Sequence, residues 1–197
     1  MIGVVFYSFY FNRLRCQELS KVKVIIRNMK KQAWTEPLFE NLEKTGEIGA
    51  QTVQFLREQR VLVTFKRDNP AVGAAWTIWR SITINTAHFT PEKTNNPRLL
   101  SLLVHEVRHL QQGLLTALSV YGELDAWQID FNFQKSLMGK YPTPEIEELC
   151  SLPLVFDRQV LQHTRQLMQA YAGKGYRIDL LPLYPLPREI RYRLTGK

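Results

Sequence analysis

The stretch from Asn96 to Leu114 constrains this chain more than any other. Asn96 is a favourable helix cap, because its short side chain can accept from the first free N–H groups. Pro97 suits the first helical position, where its missing N–H leaves no bond unmade. Leu100, Leu103, Val107, Leu110 and Leu114 then recur every three or four residues, which aligns them as one apolar stripe. Gly113 lowers helix propensity there without ending the pattern. Such a helix is stable only when its stripe is covered, so the rest of the chain must supply a packing layer.

The flanking segments read as that layer. Thr35 caps a short helix over Glu36 to Lys44, with Pro37 in its first turn and Gly46 as its stop. A second helix follows over Glu47 to Gln59, with Ile48, Val53 and Leu56 inward. Val61 to Phe65 is short and β-branched, hence a strand, and Lys66 to Gly73 is a turn. Trp76 to Asn85 alternates: Trp76, Ile78, Ile82 and Ile84 face one side, and Thr77, Ser81, Thr83 and Asn85 the other. Trp79 and Arg80 are out of phase, and the segment predicts an antiparallel hairpin or small meander. Tyr121 to Met138 is helical, entered near Gly122. Thr143-Pro144-Glu145 opens another helix, broken at Pro153 and resumed from Asp157 to Ala172 before Gly173. Leu180 to Pro187 alternates Leu and Pro and should run extended over the surface.

Composition narrows the function. Over 197 residues, 45% hydrophobic and 22% charged side chains describe one globular domain and exclude collagen-like, low-complexity and disordered classes. Two cysteines, Cys16 and Cys150, cannot form a disulfide framework and fit a reducing compartment, so a cytoplasmic location is expected. No apolar run reaches the roughly 18 residues of a transmembrane helix. The net charge of +8 sits at the ends, with +6 over residues 1–35, +4 over 173–197 and −2 between them. No aromatic–basic RNA-binding motif or C₂H₂ spacing accompanies it, which argues against nucleic acid. Ile2 to Phe11 is apolar and aromatic and precedes Arg13 and Arg15. It lacks the charge order and cleavage site of a signal peptide and reads as a strand or an interfacial anchor. Met29-Lys30-Lys31-Gln32 resembles an ordinary start, which makes residues 1–28 a basic, apolar extension and a candidate for a non-native one. Residues 29–179 then form the domain and 180–197 a basic Leu/Pro-rich tail.

Within the stripe helix lies His105-Glu106-Val107-Arg108-His109. Four residues turn a helix by about 400°, so the two imidazoles stand one above the other, about 40° apart. They can offer two nitrogens to one ion. Zn²⁺ prefers tetrahedral N, O or S ligands and keeps one position open to water when the site is catalytic. Glu106 projects about 100° from His105, where its carboxylate can reach an attacking water as a general base. This is the HExxH arrangement of metallopeptidases. The bland alternative is two satisfied histidines on a core helix with a surface glutamate between them.

The next acids lie in Tyr121-Gly122-Glu123-Leu124-Asp125-Ala126-Trp127, where Gly122 lets the chain turn back on the first helix. HExxHxxQ followed by a Tyr-x-Glu-x-x-Ala-Trp helix resembles the compact gluzincin-type metallopeptidases, over about residues 85–133. The resemblance implies Zn²⁺ held by His105, His109 and Glu123, Glu106 as catalytic base, and Gln112 supporting the site. It also implies a zincin-like α+β fold, in which a small antiparallel or mixed sheet precedes the HExxH helix and a helical C-terminal part. Two departures stand out. Glu123 follows His109 after only thirteen intervening residues, and Trp127 replaces the Asp of the usual ExxxD pattern. Asp125 therefore competes as third ligand, and Asp130 is a candidate partner for a ligating histidine. In zincins the strand before the active helix is a sheet edge that binds extended peptide, here Ser81 to Phe89. His88, His163 and Tyr121 are candidate transition-state donors.

The expected function is a zinc-dependent peptidase acting on a peptide or protein substrate. The rivals are a degenerate or regulatory zincin module acting through protein interaction, and a nucleic-acid or membrane-surface module run by the basic ends. An intact Glu106 argues against degeneracy, because a purely structural site needs no base.

Overall fold

In the computed structural model, which describes residues 34–69, 72–173 and 176–196, the apolar run at Ile2 to Phe11 and the extension 1–28 lie outside the described residues. The chain divides into two units, Met1–Pro37 and Leu38–Lys197. The elements run α1 (residues 34–43), α2 (Glu47–Glu58), β1 (Leu62–Lys66), β2 (Ala74–Thr77) and β3 (Ser81–Asn85). There follow α3 (Pro97–Gln112), α4 (Leu114–Ala117), α5 (Val120–Met138), α6 (Pro144–Ser151) and α7 (Arg158–Ala172). A 3₁₀ turn (Ile178–Leu180) leads into α8 (Leu186–Thr195). The class is α+β, with a three-stranded mixed sheet.

The sheet order is β1-β3-β2, with β3 central. β1 runs parallel to β3, pairing Leu62 with Ser81 and Lys66 with Asn85. β2 runs antiparallel to β3, pairing Ala74 with Ile84 and Thr77 with Ser81. Ile78, Trp79 and Arg80 form the hairpin turn, closed by the Arg80 N–H on the Thr77 carbonyl with Arg80 at φ +54°. The turn explains why Trp79 and Arg80 break the alternation. It also corrects Ile78, which sits in the turn and is exposed rather than inward. The expected substrate edge is corrected too: Ser81–Asn85 is hydrogen-bonded on both sides, and among the described residues β2 is the edge strand that packs against α3.

α3 begins as its sequence dictates, with the Asn96 side chain accepting from the Arg98 and Leu99 N–H groups. It ends two residues short of Leu114. Gly113 adopts φ +74°, its N–H caps the His109 carbonyl, and Leu114 is left exposed on the short α4. The stripe residues Leu100, Leu103 and Val107 are buried, and so are Ser101, His105, Glu106 and His109 elsewhere on the circumference. α3 is enclosed because α5 packs along its polar side, the most extensive helix pairing among the described residues. Gly122 permits the tight turn from α4 into α5: a Cβ there would lie 2.1 Å from the Thr116 carbonyl oxygen. Behind α5, a second core joins Leu124, Phe131, Ile146, Leu149, Leu161 and Met168 of α5, α6 and α7.

Other boundaries differ in detail. α1 already includes Trp34 and Thr35, and Ile48 of α2 points to solvent while Val53 and Leu56 are buried. The C-terminal segment does not run extended over the surface. Leu183 and Tyr184 are buried in the second core, held by the Val120 and Tyr121 N–H groups on the Pro182 and Leu183 carbonyls, and α8 follows.

Candidate metal centre

α3 and the first turn of α5 meet at three buried side chains. The Nε2 atoms of His105 and His109 lie 3.0 Å apart, with the rings nearly perpendicular at 83°. Ser119 caps α5 by accepting from the Gly122 N–H, which places Glu123 in the first turn facing α3. Glu123 Oε1 stands 3.6 Å from His109 Nε2 and Oε2 stands 3.9 Å from His105 Nε2. All three groups offer donor atoms within 4.8 Å of one another. Ligands at about 2 Å from a tetrahedral Zn²⁺ are separated by about 3.3 Å, so the set fits such an ion with small adjustments.

The surrounding hydrogen bonds orient these donors. Gln112 donates its amide N–H₂ to the Gly122 carbonyl at 2.8 Å and to Asp125 Oδ2 at 2.7 Å. Its Oε1 must then face His109 Nδ1, 3.2 Å away. Nδ1 therefore carries the proton and donates, leaving the Nε2 lone pair for a cation. Asp125 is fixed in turn by the Arg108 guanidinium, which binds both carboxylate oxygens at 2.8 and 3.2 Å. On the other ligand, His105 Nδ1 faces Asp130 Oδ2 at 3.6 Å. Glu123 Oε2 accepts from the Trp127 indole N–H at 3.2 Å and from the Tyr176 hydroxyl.

The electrostatics match a cation pocket. Burial and the nearby His109 hold His105 well below the usual imidazole range, so its ring is neutral. Burial pushes the Glu106 carboxyl up to about 8, helped by the charges of Glu123 and Asp130, while the Trp76 backbone N–H pulls it back. Burial likewise raises Asp130 to about 7 and raises Glu123, the latter against His109, Tyr176 and Trp127. Tyr176 lies well above the ordinary phenol because it is buried beside Glu123, so its oxygen keeps its proton.

The fold thus gathers His105, Glu106, His109, Gln112, Glu123, Asp125 and Asp130, with Asp125 engaged by Arg108 and Gln112. It does not gather the candidate donors. Tyr121 stacks on Phe156 at 4.3 Å, His163 pairs with Glu148 at 2.7 Å on the surface, and His88 lies exposed beside Phe89. Sequence reasoning missed Tyr176, which is 53 residues from Glu123 and belongs to no periodic pattern. The Trp127 contact was within reach, because Glu123 and Trp127 are one helical turn apart. A cleft of about 340 Å³ opens against His109, lined by Phe55, Trp76, Ile78, Arg80, Leu110 and Leu114. The Trp76 ring forms its wall over His109, with centroids 5.9 Å apart. No protein-family model, curated protein or solved structure matches the chain.

Proposed function

We propose that the chain is a zincin-like metallopeptidase, with Zn²⁺ held by His105, His109 and Glu123 and with Glu106 as general base. The observation that carries this reading is the buried His-His-Glu donor set with Glu106 on the same helix. When bound, the ion supplies Lewis acidity and lowers the pKa of a water molecule. Glu106 would take the proton of the attacking water and return it to the leaving amine, a role open to a carboxylate on the same helix as the two histidines. Tyr176 and Trp127 hold Glu123 toward the histidines. Gln112 sets the His109 tautomer, and the cleft beside Trp76 accepts a substrate side chain. An extended peptide would add along β2, an edge strand among the described residues that contacts α3.

Elemental analysis of protein purified without added metal tests the ligand set. About one equivalent of zinc is expected, lost in His105→Ala and His109→Ala. Glu106→Gln should keep the fold and the metal while hydrolysis of a peptide library falls by roughly 10²–10⁴-fold. A wild-type preparation with no transition metal and no thermal shift on zinc addition would sink the proposal. Metal binding that persists with no Glu106-dependent hydrolysis would replace it with the regulatory module.

A further inference from the structure

Exposed apolar side chains cluster on the C-terminal side of the molecule. On α8, Leu186, Ile190 and Leu194 recur every fourth residue, about 40° apart, and are 46%, 51% and 81% exposed. The inward side of the helix is a different one: Glu189 is buried, and Tyr192 packs on Tyr184 with ring centroids 5.6 Å apart. Thus α8 carries two faces, one on the core and one unpartnered among the described residues. α4 touches α8 and adds the exposed Leu115 and Leu118. Scattered apolar residues are ordinary on a surface, but a row of this kind marks an interaction face.

The charges around the row say what it fits. Arg191 lies about 100° to one side of Ile190 and Arg193 about 60° to the other, so cations bracket the stripe. The one acid of the helix, Glu189, is turned inward and held by Arg193 at 2.9 Å. Arg188 lies over the Phe156 ring, 4.4 Å from its centroid. A groove of about 490 Å³ runs beside the row, its walls mixing Leu180, Leu186 and Ile190 with Arg158, Arg165 and Arg193 and with the acids Asp179 and Glu189. Residues 173–197 carry +4 overall. A short helix with leucines on its outer face and arginines at the borders matches an interfacial helix, whose apolar row enters the acyl boundary while the cations meet phosphate headgroups. Symmetric pairing of two copies through this face would set its arginines against themselves.

We propose that the outer face of α8 docks the protein on an anionic phospholipid surface, with Leu186, Ile190 and Leu194 inserted at the interface. The docking is independent of the metal centre and of the peptidase reading.

The test is flotation of the full chain with phosphatidylcholine vesicles, with and without phosphatidylglycerol. Binding should require phosphatidylglycerol and weaken with added salt. The double variant Ile190→Glu/Leu194→Glu should bind about tenfold more weakly or worse. Arg191→Glu reverses one charge, and at about fivefold per unit of charge it should weaken binding by roughly 25-fold. Both variants alter exposed side chains, and unchanged circular dichroism melting and metal content will show that they fold. Absence of phosphatidylglycerol-dependent binding overturns the proposal. So does binding that neither variant weakens, which would place the contact elsewhere on the chain. A lipid-free dimer abolished by Ile190→Glu/Leu194→Glu also overturns it, in favour of a second copy.

Discussion

In the metal-free protein, stability should fall as pH rises above 6.5. In the metal-free state Glu106 holds its proton up to about 8 and Asp130 up to about 7, far above ordinary carboxyls. The native state therefore binds protons that the unfolded chain releases at these pH values. Stability changes with pH as the protons bound by the unfolded state minus those bound by the native state, and that difference is negative here. The window matters. His105 is held neutral by burial, so below about pH 6.5 the unfolded chain gains a proton that native His105 refuses, and this opposes the carboxyl effect. Above it, His105 drops out and the carboxyls act alone. Glu106 contributes a slope of about 1.4 kcal/mol per pH unit at pH 6.5 that halves by pH 8, a loss of about 1.6 kcal/mol that Asp130 brings to roughly 2 kcal/mol or slightly more. For a chain of this size, that lowers Tm by about 4–8 °C. The assay is thermal melting in EDTA at pH 6.5, 7, 7.5 and 8, beside a zinc-saturated sample. A bound divalent charge favours ionised carboxylates and should flatten the zinc-saturated series. Glu106→Gln should flatten most of the EDTA series. A metal-free Tm that holds constant or rises over this range would refute the reasoning.

Other perturbations separate the roles around the site. Gln112→Ala should weaken zinc binding about 10- to 100-fold, measured against a chromophoric chelator, because His109 loses the partner that sets its tautomer. Glu123→Ala should shed zinc, whereas Asp125→Ala should retain it with reduced affinity, since Asp125 acts through Gln112 and Arg108; the reverse order of affinities would make Asp125 the third ligand. Burial pushes the Cys150 thiol up to about 11. In a Cys16→Ser background its reaction with a disulfide reagent at pH 8 should be about a hundredfold slower than free cysteine, rising about tenfold per pH unit; a fast reaction at pH 8 would contradict that environment.

The fold was most legible where local chemistry and tertiary packing agree. Asn96-Pro97, Thr143-Pro144 and Asp157 mark helix starts that the structure keeps, because cap and first-turn preferences need no distant partner. Strand pairing was less legible. Alternation identifies which residues share a face, but nothing in residues 61–85 announces that β1 lies parallel to β3 and makes it central. The Leu-Pro alternation of residues 180–187 suggested a surface strap, yet Leu183 and Tyr184 fill a core built by α5, α6 and α7. That burial depends on a cavity shaped by residues far off in sequence. Gly113 was read as a tolerated interruption, whereas its positive φ ends α3.

The metal centre was legible for a different reason, and its limits are instructive. The i, i+4 spacing fixes the relation of His105 to His109 whatever the tertiary structure, and Gly122 allows the tight α4–α5 turn that starts the helix carrying Glu123. Tyr176 carries no such spacing and emerges only from the fold. The polar side of α3 would ordinarily face water, and here it is enclosed by α5. Enclosing Glu106, Glu123 and Asp130 together with two imidazoles opposes stability, since burial raises all three carboxyls and depresses His105. A divalent cation would reconcile His105, His109 and Glu123 with burial, and hydrogen-bonded neighbours orient them. It does not account for Glu106, which a purely structural ion would not require and which an apolar residue of similar size would replace with a gain in stability. A carboxyl buried against that gradient supports the proposed role of Glu106 in proton transfer.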